Sequence, residues 1–403
     1  MTILFLSLIR LKSFEEHNIY ADLLRELIKR GHTIYAVCPT ERRNKEKTNV
    51  RFFNKNAILS VKTYNIQKTN TIEKGIATLA ITSQFVRAIK KHFKDYKFDL
   101  ILYPTPPITL YRVIKFFKKR DNARTYLMLK DIFPQNAVDL GMIKKTGIKG
   151  IFYRYFRKQE KKLYEISDRI GCMSRANVEY ILEHNREIDA KRVEVFPNCI
   201  EPINISLTSE QKIKVRQKYG IPLDKIVLVY GGNLGKPQSI SFVIDCIKAL
   251  KKCEKIYFLV VGDGTDYHKL ENFKNHEKPQ NFMLSKSLPK KDFDILIASC
   301  DVGLIFLDKR FTIPNFPSRF LSYLQADIPV FACVDNSTDL GKIIIDNSLG
   351  WFCMSDDVAS FENNVLKILD TDFSKFKGHQ FDYLKAHFDV NDYVHCVEDV
   401  LNI

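Results

Sequence analysis

Short apolar runs alternate with stretches of helical period along the whole chain. ILFLSLI (3–9) precedes an amphipathic stretch that closes at Arg30, with Gly31 as its stop signal. TIYAVC (33–38), AILSV (57–61), FDLILY (98–103), TYLML (125–129) and RIGCM (169–173) follow, with helical patterns over about 75–94, 108–119 and 148–165 between them. Each apolar run is continuous rather than alternating, as in strands covered by helices on both faces. The pattern predicts parallel βαβ units and argues against an antiparallel sandwich.

The series restarts after the proline-bearing stretch Pro197-Asn198-Cys199-Ile200-Glu201-Pro202. KIVLVYGG (225–232), KIYFLVVGDG (255–264), NFMLS (281–285), DVGLIFL (301–307) and IPVFACV (328–334) form the second set. The expected fold class is therefore α/β, with two doubly wound Rossmann-like domains over 1–200 and 201–385. The tail is helical in pattern, and its last part, 386–403, is expected to cap the second domain or cross back onto the first. The opening apolar run has no basic stretch before it and runs into Glu15 and Glu16, so it reads as a first strand rather than a signal peptide. No run approaches the roughly 18 apolar residues of a membrane span. A soluble or peripheral protein is expected.

Composition sharpens this picture. With 45% hydrophobic and 12% aromatic residues in 403, the chain is not of the disordered class. Its net charge of +16 is uneven: residues 1–200 carry 39 Lys and Arg against 20 Asp and Glu, whereas 201–403 carry 24 against 27. A basic first half points to a polyanionic partner, an anionic membrane surface or a nucleic acid. Nine scattered cysteines without a CxxC pair read as buried thiols of a reducing cytoplasm, and no zinc-site spacing is present.

Candidate chemistry clusters at strand ends, where open α/β sheets bind ligands. Val229-Tyr230-Gly231-Gly232-Asn233-Leu234-Gly235-Lys236-Pro237-Gln238 links a strand to a helix. Its glycines let backbone N–H groups approach an anion, and Lys236 adds a positive charge. It fits neither GxGxxG nor a P-loop. Val261-Gly262-Asp263-Gly264 ends the next strand. Pro317-Ser318-Arg319 opens a further helix, with Ser318 as the expected cap and Arg319 close behind. Three such turns in one domain favour a nucleotide site over ordinary capped turns.

In the first half, Leu129-Lys130-Asp131-Ile132-Phe133-Pro134-Gln135-Asn136 ends a strand in a Lys-Asp pair, read as a ligand-facing pair or as a surface ion pair. His17 before the first helix is either structural or catalytic. Two basic-aromatic segments, 111–120 and 144–164, suit an interfacial helix at an anionic leaflet or an ordinary helix with a solvated face. No nucleic-acid recognition motif occurs.

In order along the chain, LKDIFPQNAVDLGM, DRIGCMS, VFPNCIEP, YGGNLGKPQS, VVGDG, FTIPNFPSRFLSYLQADIPV and VDNSTDLG make the chain resemble the family 4 glycosyltransferases of the GT-B fold, in particular those of bacterial capsule and O-antigen assembly. The resemblance implies two domains facing across a cleft and retaining transfer of a sugar from a nucleotide-sugar. The donor would lie on the second domain and the acceptor on the first. No cofactor and no metal are implied. Lys236 and Arg319 would hold the diphosphate, with Gly232, Asn233, Gln238, Gly264, Ser318, Ser322, Thr338 and Asp339 around the donor. Lys130, Asp131 and His17 would be catalytic. The implied donor is UDP-linked, an N-acetylated hexosamine or deoxyhexosamine, and the acceptor a saccharide on polyprenyl diphosphate. That acceptor calls for a cytoplasmic protein peripheral on the inner membrane, touching it through Lys115, Phe116, Phe117, Lys118, Lys119, Phe152, Arg154 and Tyr155; neutralising Lys115, Lys118 and Lys119 together would weaken binding to anionic liposomes.

The sequence departs from the family pattern at three points. Ser322 and Pro314 stand where the wider family has the two glutamates of E-x7-E on the donor helix. Lys130-Asp131 stands for His-Asp, and Ser13-Phe14 for two glycines. The departures leave a catalytically inactive scaffold subunit as the rival reading. A nicotinamide-dependent oxidoreductase is disfavoured by the incomplete GxGxxG, and a nucleic-acid-binding module rests on charge alone.

Overall fold

The computed structural model describes residues 1–66 and 71–402. The chain forms two compact units, Met1–Glu201 with Val390–Ile403, and Pro202–Asp389.

The first unit is built on eight strands: β1 (Thr2–Leu6), β2 (Thr33–Glu41), β3 (Asn49–Phe53), β4 (Asn56–Thr63), β5 (Leu100–Pro104), β6 (Arg124–Leu129), β7 (Arg169–Cys172) and β8 (Val193–Val195). Their order is β3-β4-β2-β1-β5-β6-β7-β8. All neighbours are parallel except β3 and β4. The continuous apolar runs become fully buried strands; Ile3, Leu4, Ile101 and Leu102 have no exposed surface. β3 and β8 were not apparent in the pattern. Both are short, partly exposed edge strands that carry little apolar signal.

Six helices of this unit matter below: α1 (Ile19–Lys29), α2 (Thr71–His92), α3 (Tyr111–Asp121), α4 (Gln135–Asp139), α5 (Gly147–Ile166) and α6 (Arg175–His184). Asn18 caps α1 by accepting from the N–H groups of Tyr20 and Ala21, both at 3.0 Å. Gly31, at φ +92°, ends it.

The second unit holds β9 (Ile226–Asn233), β10 (Ile256–Asp263), β11 (Phe282–Ser285), β12 (Val302–Phe306), β13 (Val330–Val334) and β14 (Gly350–Met354). All are parallel, in the order β11-β10-β9-β12-β13-β14. β14 escaped the pattern because its run, GWFCM, is mostly half-buried. Each sheet reverses its strand order once, at β1 with β5 and at β9 with β12. Those switch points put the carboxyl ends of β1, β5, β9 and β12 where an α/β sheet admits a ligand.

The C-terminal segment rejoins the first unit at Val390 rather than at 386. Helix His379–Phe388 stays with the second unit, where the Phe388 ring lies 5.9 Å from Phe320. Val394, Val397 and Val400 then enter the first unit's core beside Leu24 and Leu27. Burying each valine contributes about 1.5–3 kcal/mol. Glu398 adds pairs to Arg30 (3.1 Å) and His32 (2.7 Å).

Candidate functional site

The carboxyl end of β9 is built for a close approach. Gly232 has φ +125°, a conformation open to glycine. A Cβ there would sit 3.4 Å from Nη2 of Arg319. Across the register, Gly262 of β10 faces Gly232, and a Cβ on Gly262 would fall 2.0 Å from the Gly232 carbonyl oxygen. The Tyr230 hydroxyl donates to the Asn233 carbonyl at 2.7 Å, and the Arg319 guanidinium lies 4.4 Å above the Tyr230 ring. Tyr323, buried one turn after Arg319, donates to the Leu304 carbonyl (2.9 Å) and accepts from the Gly231 N–H (3.2 Å), fastening the end of β9 to β12. Neither tyrosine was singled out from the sequence, although both lie within the quoted motifs.

Two cations are left over at this turn. Nη1 of Arg319 is buried and has no hydrogen-bond partner among the described residues. A buried guanidinium N–H without an acceptor is costly, about 1–3 kcal/mol, and a bound anion would remove that cost. Lys236 is exposed and forms no ion pair among the described residues.

Several other expected donor-site residues also make contacts within the fold. Gln238 is buried and accepts from the Asn233 side chain (3.0 Å) and the Gly235 N–H (3.3 Å), so it shapes the turn from within. Gly264 is required for packing: a Cβ would lie 2.3 Å from the Leu234 carbonyl oxygen, and its N–H already donates to Asp263. The Thr338 hydroxyl donates to the Asn315 carbonyl (2.7 Å) and accepts from the Leu340 N–H (3.3 Å), tying two loops together. Asp339 precedes helix Leu340–Asp346 without capping it. Ser318 does not cap helix Arg319–Gln325 either. Its backbone is helical, φ −61° and ψ −19°, rather than the extended form of a capping serine, and its side chain is exposed. Ser322 is half-buried on the same helix.

At the switch point of the first unit, Thr105 follows β5 and organises the end of β6. Its hydroxyl accepts from the N–H groups of Lys130 (3.0 Å) and Asp131 (3.2 Å) and donates to the Asp131 carbonyl (3.0 Å). Sequence reasoning passed over Thr105, although the Thr-Pro-Pro turn closing a strand was a signal. Lys130 and Asp131 then diverge, so the surface ion pair, one of the two readings of this pair, does not form. Lys130 Nζ turns to the carbonyls of Phe196 (3.3 Å) and Pro197 (3.0 Å), and burial lowers its pKa to about 8. Both Asp131 oxygens accept from Asn136 Nδ2, at 2.8 and 2.7 Å. Burial raises the Asp131 carboxyl to about 6.

His17 is exposed and joins a third cluster, with Nδ1 3.3 Å from Arg25 and 3.6 Å from Asp22. His17, Asp22 and Glu201 lie close enough to share a metal ion. The Arg25 guanidinium already fills that role, at 2.5 Å from Asp22 and 2.7 Å from Glu201. At the Ser13-Phe14 departure, Phe14 is a core residue, edge-on to Phe53.

Residues 18–203 match the model of Glycosyltransferase Family 4, and residues 211–379 match that of Glycosyl transferases group 1. The chain belongs to the family 4 glycosyltransferases. This glycosyltransferase is 23% identical to the glycosyltransferase WbjE of Pseudomonas aeruginosa over 348 residues, 83% of the chain and 82% of WbjE. It is 22% identical over 272 residues to WcaI of Escherichia coli K12, assigned to colanic acid biosynthesis, covering 66% of the chain and 64% of WcaI. Among solved structures, a trehalose-6-phosphate protein from E. coli bound to UDP-2-fluoroglucose superposes with a TM-score of 0.75 at 12% identity, covering 100% of this chain and 99% of that one. Anabaena HepE in complex with UDP gives 0.66 at 14%, covering 100% of both chains. Both likenesses are of fold, and the architecture is GT-B.

Within this glycosyltransferase the expected membrane face divides. Phe117 is a core residue with no exposed surface and cannot meet a bilayer, and Lys118 is committed to both Asp168 oxygens at 2.8 Å and to the Ile166 carbonyl at 2.9 Å. Phe116 is half-buried beneath Lys90 Nζ at 4.1 Å. Lys115 and Lys119 are exposed on α3, and Phe152, Arg154 and Tyr155 on α5. No described helix is long and apolar enough to cross a membrane.

Proposed function

We propose that the protein is a retaining glycosyltransferase. Its second unit would take a nucleoside-diphosphate sugar, with the diphosphate held by Arg319 and Lys236 at the Gly232 turn. The buried, unpartnered Nη1 of Arg319 is the observation that carries this reading. Positive charge at the departing diphosphate is the main electrostatic task of such a transfer, and the two cations supply it without a metal. The bond from the anomeric carbon to the diphosphate oxygen breaks, a bond to an acceptor hydroxyl forms on the same face, and the hydroxyl proton passes to the departing phosphate. Asp131, largely ionised at neutral pH, would orient that hydroxyl. Lys130, turned to the 196–197 carbonyls, would position the β6 end.

UDP is the proposed nucleotide, in keeping with the UDP bound by HepE. The acceptor would be a saccharide on polyprenyl diphosphate in capsule or O-antigen synthesis, as the assignment of WcaI to colanic acid biosynthesis suggests. The exposed Lys115, Lys119, Phe152, Arg154 and Tyr155 would meet the anionic inner-membrane surface. Ser322 and Pro314 at the places of the family glutamates favour a second reading, a non-catalytic subunit of an assembly complex. The test incubates the protein with UDP-, GDP- and dTDP-sugars and bacterial membranes, and measures release of nucleoside diphosphate. Release that requires one donor and is lost in Arg319→Ala is the expected result. Tight nucleotide binding without turnover would favour the second reading.

A further inference from the structure

A cavity of about 100 Å³ opens between α4, α5 and α6 of the first unit. Engineered cavities of about 150 Å³ hold a benzene ring, whereas drug-sized ligands take about 300 Å³ or more. The space is smaller than one that encloses a benzene ring, so it admits part of a six-membered ring, with the rest standing in the opening.

Its lining combines flat faces with rigid polar groups. Tyr180 and His184 stack at 4.0 Å, nearly parallel at 15°. Among the other lining residues, the Glu160 carboxylate is buried and held by Arg157 Nη1 (2.5 Å), and accepts from the Tyr164 hydroxyl (2.8 Å). Arg157 also donates to Asn185 Oδ1 (2.6 Å) and the His184 carbonyl (3.1 Å), which fixes its plane. Gln135 adds an amide whose nitrogen donates to Asp139 (2.6 Å). Planar carboxylate, guanidinium and amide groups suit pairs of hydroxyls, and stacked rings suit the C–H face of a pyranose. The buried Glu160 is balanced by Arg157, and Lys145 adds a second cation to the lining, so competition by phosphate separates a neutral ring from an anion.

The cavity shares a turn with the candidate catalytic carboxylate. Ile132 and Pro134 line it, and Asn136 of the same turn holds Asp131. Phe133 packs edge-on against Phe156 of α5 at 5.0 Å. We propose that this cavity seats one neutral sugar ring of a saccharide acceptor, adjacent to the ring that reacts. The inference rests on the glycosyl-transfer reading and names a part of its acceptor site.

Saturation-transfer NMR of the full chain with methyl glucoside, methyl galactoside and methyl N-acetylglucosaminide tests it. At least one glycoside should receive saturation, with affinity roughly two- to tenfold weaker in Tyr180→Ala and His184→Ala. Added inorganic phosphate should leave the signal unchanged. No transfer to any glycoside, equal transfer in both variants, or displacement by phosphate would overturn the proposal. The variants change a half-buried and an exposed side chain, and a thermal melt checks their folding. UDP titrated into the same samples separates the two claims. UDP binding without glycoside binding sinks only this inference; glycoside binding without UDP binding upholds it and counts against the donor reading.

Discussion

The two units treat their charges in opposite ways. The first carries most of the excess of basic residues, yet its cations near the strand ends are committed. Lys130 caps carbonyls, Arg25 bridges Asp22 and Glu201, and Lys118 closes on Asp168. Residues 201–403 are close to neutral, yet there Arg319 has a buried N–H with no partner and Lys236 has no ion pair among the described residues. Net charge therefore does not point to the proposed anion site; the unpartnered Arg319 N–H and the exposed Lys236 do. In the first unit the proposed chemistry rests on the half-buried Asp131 carboxylate and a small polar cavity.

The sharpest way to break this contrast is Asp131→Asn. If Asp131 orients the acceptor hydroxyl, kcat should fall roughly 10²- to 10⁴-fold with UDP affinity unchanged. The wild-type rate should rise with pH through about 6, where the carboxyl ionises, and the variant should lose that limb. The sign for stability is opposite. A carboxyl raised from 3.8 to about 6 on folding favours the fold most below pH 4 and loses that contribution as pH rises through 6. Denaturant midpoints of wild type should therefore fall between pH 4 and 6 more steeply than those of the variant.

Next in size, Arg319→Ala should weaken UDP binding roughly 10- to 100-fold in calorimetry, the loss expected for a charge-assisted hydrogen bond. Lys118→Ala should destabilise the first unit by about 1–2 kcal/mol in urea unfolding, because Asp168 loses its cation and keeps only Thr125 as a donor among the described residues, while Lys119→Ala should stay within about 0.5 kcal/mol. In anionic vesicles the order reverses: Lys119→Ala weakens binding, and Lys118→Ala, if folded, does not. The smallest effect belongs to Lys236→Ala, roughly two- to fivefold on UDP affinity, since an exposed ammonium is screened by solvent.

The sequence made the two parallel sheets legible because their strands are continuous apolar runs, and the switch points then located both candidate sites. β3, β8 and β14 stayed hidden because three to five partly exposed residues carry almost no periodic signal. Arg319 was legible from its place behind Pro317-Ser318. Lys130's direction was not, because the carbonyls it meets lie 66 and 67 residues further on. Thr338 and Gln238 look like ligand donors in a motif, and only the fold shows their polar atoms holding loops together. Phe117 and Lys118 look interfacial in a basic-aromatic run, yet one faces the core and the other an aspartate.

The most direct test of the central claim is calorimetric titration of UDP, without added metal, into the wild type, Arg319→Ala and Asp131→Asn. Saturable binding in wild type and Asp131→Asn, weakened at least tenfold in Arg319→Ala, is the predicted result. Equal binding in all three, or loss only in Asp131→Asn, would contradict a donor site at the Gly232 turn.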